Sequence, residues 1–255
     1  MRIPETYIVI DIETTGLPEQ DKRGNKNFSD VQIIEIGALK CNSWERYGGR
    51  RQDDSMKFSI LVAPWTKEDE EQGEGYMVLP EKITQLTGIT ESILEKEAVF
   101  PEEAARKLMD FLGYDPNESG TWTQRPTDGD DPRLIVVGHN ILGFDLPILR
   151  RIVDLPVSEV YDTMLLWRAW CLGMRKGEWE SLDHFYGRVG AERFSGQSNL
   201  EFCLRTLCGP TGLVDAGYVH GHKHRAPTDC IAAHIVFETM RTRGILKTVF
   251  GEENA

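Results

Sequence analysis

Long apolar runs are missing from this 255-residue sequence, and nowhere does it offer the roughly 18 consecutive apolar residues that a membrane helix needs. The opening MRIPETYIVIDIETTG also lacks the basic, then apolar, then small-residue order of a secretory signal. A soluble, cytoplasmic protein without a membrane partner is expected. Cysteine is sparse and unpatterned. Cys41, Cys171, Cys203, Cys208 and Cys230 are odd in number and form no C-x-x-C pair, which argues against a disulfide framework or a zinc knuckle. Positive charge is short as well: 29 Lys and Arg face 41 Asp and Glu, for a net charge of −12. That balance argues against a broad basic surface for nucleic acid, because such binding draws on many cationic contacts to phosphate. Chemistry on phosphate is not excluded, since carboxylates that hold metal are locally acidic until the cations load.

What is present is ordinary globular material, 40% hydrophobic and 27% charged, enough for one domain spanning about residues 1–250. The β-branched run TYIVIDI (6–12) predicts a buried strand that stops at the turn-prone TTGLP. Further strands are predicted at 31–40 and 56–63, joined by a hairpin tip within 41–55. After an acidic loop, KEDEEQGEGY, the segments PEKITQLTG, ESILEKEAV and PEEAARKLMDFLG carry helical spacing. Residues 114–133 are rich in Pro, Gly, Asp and Asn and predict an irregular surface insertion. Beyond them come a strand LIVVGHN, a helix FDLPILRRIVD, a short strand VYDTM and a helix LLWRAWCLG. Residues 173–198 again predict an irregular, charged insertion. Two helices close the chain, NLEFCLRTLCG with a terminal glycine and APTDCIAAHIVFETMRTRG with proline in its first turn. Strands interleaved with helices in this order predict an α/β fold, a central sheet flanked by α-helices.

Three segments carry candidate chemistry. In Asp11-Ile12-Glu13-Thr14-Thr15-Gly16-Leu17 two carboxylates lie on one side of a strand. With so many acids in the chain, about six pairs at that spacing arise by chance, so the spacing alone decides nothing. Their place at the end of a very apolar strand is more informative, because charge there is costly unless a cation meets it. In Gly138-His139-Asn140-Ile141-Leu142-Gly143-Phe144-Asp145 a strand gives way to a helix; Asp145 could simply complement the helix dipole, Asn140 could cap it and Phe144 could be core. In His224-Arg225-Ala226-Pro227-Thr228-Asp229 another helix begins, and Asp229 could be a helix-start charge. The alternating His220, His222 and His224 are weak evidence for zinc without cysteine or a second cluster.

Jointly, in order and spacing, these segments resemble the DEDDh, or DnaQ-like, 3′-to-5′ exonucleases of the RNase H-like superfamily. Gln32-Ile33-Ile34-Glu35-Ile36-Gly37, Leu86-Thr87-Gly88-Ile89, Tyr161-Asp162-Thr163 and the Leu204–Cys208 stretch extend the likeness over most of the chain, while 114–133 and 173–198 depart from it. The resemblance implies an RNase H-like mixed sheet and a metal-dependent exonuclease. It further implies that Asp11, Glu13, Asp145 and Asp229 hold two divalent cations, Mg2+ or Mn2+, and that His224 is the general base. Thr14, Thr15, Gly16, Leu17, Asn140 and Phe144 are implied to hold the terminal nucleotide. Single-stranded or frayed 3′ ends are the expected substrate, DNA before RNA. RNA 3′-end trimming is the alternative, and a non-catalytic nucleic-acid or polymerase-binding module the alternative of another class. A polymerase partner fits the family, but the sequence shows no docking motif.

Overall fold

The computed structural model describes residues 3–21, 26–42, 56–65, 78–117, 121–125, 133–218 and 224–251. Its centre is a five-stranded mixed sheet built from β1 (Thr6–Thr14), β4 (Ile33–Asn42), β5 (Lys57–Leu61), β8 (Leu134–Gly138) and β9 (Val157–Asp162). The spatial order is β5-β4-β1-β8-β9. The β5–β4 and β4–β1 pairs are antiparallel, whereas β1–β8 and β8–β9 are parallel. Strand β1 is therefore where the sheet changes sense. Glu19–Gln20 (β2) pairs with Lys26–Asn27 (β3) in a small separate ribbon.

Alternation along the strands sorts the core into two faces. Tyr7 and Val9 of β1, Leu39 and Cys41 of β4, Ile135 and Val137 of β8 and Tyr161 of β9 share one apolar cluster. Ile10, Ile12, Ile36, Ala38, Leu134 and Val136 turn to the other. Helices cover both, because neither face carries enough polar groups to meet water. The second face takes α3 (Pro101–Leu112), which buries Ala104, Ala105, Leu108 and Met109, and the short α4 (Asp145–Leu149). Ahead of α3, α1 (Glu81–Thr87) and α2 (Glu91–Glu97) enclose a minor cluster of Ile34, Leu79, Ile89 and Leu94. The first face takes α5 (Thr163–Cys171), α6 (Leu182–Ala191), α7 (Leu200–Asp215), α8 (Ala226–Thr242) and α9 (Ile245–Phe250). Helix α8 anchors there through Phe237, whose ring meets Tyr7 edge-on at 5.0 Å and Tyr161 at 5.5 Å.

The α/β class and the mixed sheet agree with expectation, and four local expectations need correction. Residues 114–133 contain an antiparallel ribbon, β6 (Tyr114–Pro116) with β7 (Trp122–Gln124). Burial of Tyr114 and packing of Trp122 on the second face outweigh the turn-forming residues around them. The stretch 173–198 is not irregular throughout, because it folds α6, capped by Ser181, whose hydroxyl accepts from the His184 N–H. Phe185, Tyr186 and Val189 supply its buried side, and the glycines and polar residues between them hid the period. Finally, FDLPILRRIVD is helical only over Asp145–Leu149 and then tightens into turns such as Arg151 N–H to Ile148 O. Helix α7 continues past its expected end, with a kink at Gly209 (φ 67°) ahead of Pro210. The 41–55 hairpin tip, apart from its first two residues, and the whole acidic loop lie outside the described residues. Among the described residues no helix is long and apolar enough to cross a membrane.

Candidate active site

Because β1 and β8 run parallel, with Ile8 opposite Val136 and Val9 opposite Val137, both leave the sheet at the same edge. The end of the first motif and the start of the second are thus neighbours. Asp11 and Glu13 continue the Tyr7–Val9 side of β1 by alternation, which is the side that α8 covers. Gly37 stands opposite Asp11 in the ladder and lets α8 close in. A Cβ at Gly37 would lie 2.5 Å from the Ala226 carbonyl carbon and 2.7 Å from the Pro227 nitrogen. That close approach brings Asp229, in the first turn of α8, over β1. One oxygen each from Asp11, Glu13 and Asp229 lie within 4.8 Å of one another. Asp145 reaches the same strand from α4, its Oδ1 accepting from the Ile12 N–H at 3.0 Å.

Like charges so placed resist ionisation. Burial, with Asp145 and Asp229 beside it, pushes the Asp11 carboxyl well above the usual carboxylate range. Burial and Asp229 push Glu13 up to about 8, and burial raises Asp145 to about 7 against the opposing Ile12 hydrogen bond. Asp229 is raised by burial, while Tyr218 Oη, donating at 2.5 Å, and His224 pull the other way. The nearby cation Arg225 is committed elsewhere, to the fully buried Glu35 at 2.6 and 2.9 Å. Three converging oxygen donors that lack a matching positive charge suit a hard divalent cation such as Mg2+ or Mn2+. The donor set therefore fits the metal that the resemblance implies.

Asp11 and Asp229 open into a cavity of about 720 Å³ lined also by Leu17, His139, Asn140, Tyr218 and His224. His224 is exposed and, like Asn140, left-handed, with φ of 55° and 62° respectively. Leu17 is 80% exposed at the mouth. Asn140 is not the helix cap; Phe144 precedes α4. Its turn returns through Gly143 N–H to Asn140 O, and a Cβ at Gly143 would meet Asn140 Oδ1 at 2.6 Å. Not every expected residue gathers here. Thr14 and Thr15 are buried with their hydroxyls engaged, Thr14 donating to Gly16 O and Thr15 accepting from the Gln32 N–H. Phe144 packs against the second-face cluster. His220 and His222 lie outside the described residues.

Sequence reasoning gave no role to several residues that build this site. Glu35 receives Arg225 and the Ala226 N–H at 3.0 Å, fixing the start of α8. Asp162 accepts from the N–H groups of Asn140, Leu142, Met164 and Leu165, tying the second motif to the first turn of α5. His139 bridges to Thr163 Oγ1 through Nδ1 and to Ser198 O through Nε2 at 2.7 Å. A carbonyl only accepts, so Nε2 carries the proton. Burial lowers His139 to about 4, leaving it neutral at ordinary pH. The signal for Glu35 was available: an acid inside VQIIEIGALK needs a buried partner as much as Asp11 does.

Comparison with protein-family models and with curated proteins gave no match. Solved structures do match. E. coli exonuclease I in complex with a dA16 oligonucleotide aligns with TM-score 0.58 and 15% identity, covering 96% of this chain and 42% of that one. The zinc-bound form of the E. coli exonuclease I–ssDNA complex aligns with TM-score 0.57 and 14% identity, covering 94% and 41%. Exonuclease I without ligand gives 0.54 and 15%, covering 93% and 42%. The chain has an exonuclease I-like α/β fold. The likeness to exonuclease I runs through nearly all of this chain, yet the chain spans about two-fifths of the length of the exonuclease I chains it matches.

Proposed function

We propose that the chain is a metal-dependent 3′-to-5′ exonuclease that removes nucleotides from single-stranded or frayed ends, DNA before RNA. The observation that carries this reading is the meeting of Asp11 and Glu13 of β1 with Asp229 of α8 within 4.8 Å, Asp11 and Asp229 lining one cavity with His224. Four carboxylates, Asp145 completing the set, would hold two divalent cations. When bound, these ions supply positive charge to the phosphate in the transition state and to the departing 3′-oxygen. His224, exposed to the cavity, takes the proton of the attacking water on its imidazole nitrogen. Tyr218 donates to Asp229 Oδ1 and fixes that carboxylate's rotamer. Leu17 projects from the mouth, where an apolar side chain can wedge against an unpaired base. The turn at Asn140 presents its amide to the terminal nucleotide. Thr14 and Thr15 contribute through backbone shape, since their hydroxyls are engaged. All five cysteines are free thiols, in keeping with an intracellular enzyme.

The test is degradation of 3′-labelled and 5′-labelled single strands of DNA and of matched RNA, with magnesium, manganese or EDTA. Stepwise shortening from the 3′ end in either metal, stopped by EDTA and by Asp11→Ala, is the expected outcome. Faster loss of RNA than of DNA would convert the reading to RNA 3′-end trimming. Intact strands throughout would sink it in favour of a binding module.

A further inference from the structure

A cavity of about 370 Å³ opens at the end of the sheet opposite to the carboxylates, where β1 and β8 begin and β4 draws to its close. Ile8 of β1, Leu112 of α3 and Leu134 of β8 give it apolar walls, and Lys40, Tyr114, Gln124 and Arg133 supply its polar groups. Among the described residues no carboxylate lines it. In a chain of net charge −12, a concavity with two cations and no acid runs against the average surface, and it favours an anion locally. About 10 Å of extended strand separates Ile8 from Asp11, so this cavity is not part of the metal site.

Lys40 stands opposite Ile8 in the β1–β4 ladder and is half-buried. Its ammonium lies 4.7 Å from the centre of the Phe111 ring, and among the described residues it forms no ion pair or hydrogen bond. The acid near it, Asp110, is held by Arg125, which also takes Asp115. Burial, with Arg125 beside it, lowers Lys40 from the ordinary lysine value. The fold thus carries a positive charge there that it does not neutralise. Tyr114 of β6 is an independent observation. It is 5% exposed and packs in the second-face cluster, yet its hydroxyl makes no hydrogen bond among the described residues. That hydroxyl is not sealed in, because it keeps accessible surface, and Tyr114 lines this cavity. Nearly buried polar groups ordinarily have partners. Here the phenol is a donor held by a packed ring and left for whatever enters.

We propose that this cavity binds a nucleoside 5′-monophosphate, with its phosphate on Lys40, Tyr114 Oη donating to a phosphate oxygen, and its base against Ile8, Leu112 and Leu134. A phosphate monoester suits the site better than a carboxylate, because the lysine, the phenol and the Gln124 amide offer more donors than one carboxylate uses. Arg133, which also holds Glu159 at 2.9 Å, adds charge at the rim. The volume lies near the lower end of the roughly 300–1,000 Å³ of ligand pockets, which fits one nucleotide and not a strand. Binding there needs no metal and stands apart from the exonuclease reading.

The experiment is isothermal titration calorimetry of thymidine 5′-monophosphate, thymidine, inorganic phosphate and benzoate into the full chain, in EDTA and again in magnesium. Wild type is compared with Lys40→Met and Tyr114→Phe, which keep the stem and the ring that pack. Kd is the quantity read, since a partly unfolded sample lowers the apparent stoichiometry and leaves Kd unchanged. In EDTA the monophosphate is expected to bind at one site, about tenfold more weakly in Lys40→Met and about threefold more weakly in Tyr114→Phe. Thymidine and phosphate should each bind about tenfold more weakly than the monophosphate. No saturable binding by wild type in EDTA, or equal Kd in all three proteins, would overturn the proposal. So would binding that appears only with magnesium, which would put the nucleotide on the carboxylate cluster. Benzoate or free phosphate binding as tightly as the monophosphate would defeat the nucleotide assignment.

Discussion

Glu35 has no solvent-exposed surface and neutralises Arg225 through two hydrogen bonds while also holding the Ala226 N–H. Removing one partner of a buried pair typically costs about 3–5 kcal/mol. Arg225 keeps 34% of its side chain in solvent, so for Glu35→Ala we expect about 2–3 kcal/mol by urea denaturation. The carboxylate cluster gives a second expectation. Without metal, Glu13 stays protonated in the fold up to about pH 8 but ionises near pH 4.5 when unfolded. The folded state then holds the extra proton, so stability falls as pH rises through that window. His139, lowered to about 4 from 6.5, works in the opposite sense, but its contribution is complete above 6.5. Between about pH 6.5 and 8 the Tm of EDTA-treated protein should therefore decline, and the gain on adding magnesium or manganese should grow. A gain independent of pH would show that cations do not displace protons here. For His224→Ala we expect kcat to fall by about 10²–10⁴-fold with little change in Tm. At this scale the sequence showed the candidate carboxylates and histidine through their joint spacing. It could not show that Arg225 belongs to Glu35, because that partnership exists only once α8 lies on β4.

At the scale of elements, the decisive contact is α8 on β4. Gly37→Ala places a methyl group within 2.7 Å of α8 backbone at its first turn, and backbone cannot yield as a flexible side chain does. Overpacking of this kind costs about 1–3 kcal/mol, and it should also displace Asp229 and His224 together. Activity should drop far more than the loss of stability explains. A variant with normal kcat and lowered Tm would show that α8 can retreat without disturbing the cluster. Strands β1, β4 and β8 were legible because they alternate or run wholly apolar. So was α3, whose apolar period is regular. Helix α6 was not, since its buried side is only Phe185, Tyr186 and Val189, interrupted by glycines. The β6–β7 ribbon was concealed by turn-forming composition and is held by two aromatic side chains.

Across the whole molecule, a net charge of −12 sets how a strand would be held under the exonuclease proposal. Without divalent cations the carboxylate cavity repels phosphate, so EDTA should weaken single-strand binding more than a doubling of monovalent salt does. Anisotropy titrations compare the two directly, and equal effects would point to binding by scattered surface cations instead. The class of fold and the flanking of a sheet by helices could be read from the order of strands and helices. Strand order could not. It depends on long-range pairings such as β1 with β8, for which local pattern carries no signal. The cavity beside the cluster was equally invisible, being shaped by the mutual placement of the second motif, α5 and α7.

The union of residues 11, 13 and 229 has a consequence for the time course of synthesis. The first two carboxylates are made long before the third, which waits for α8. During synthesis Asp11 and Glu13 therefore stand without Asp229, and the cluster closes only when α8 settles against the sheet.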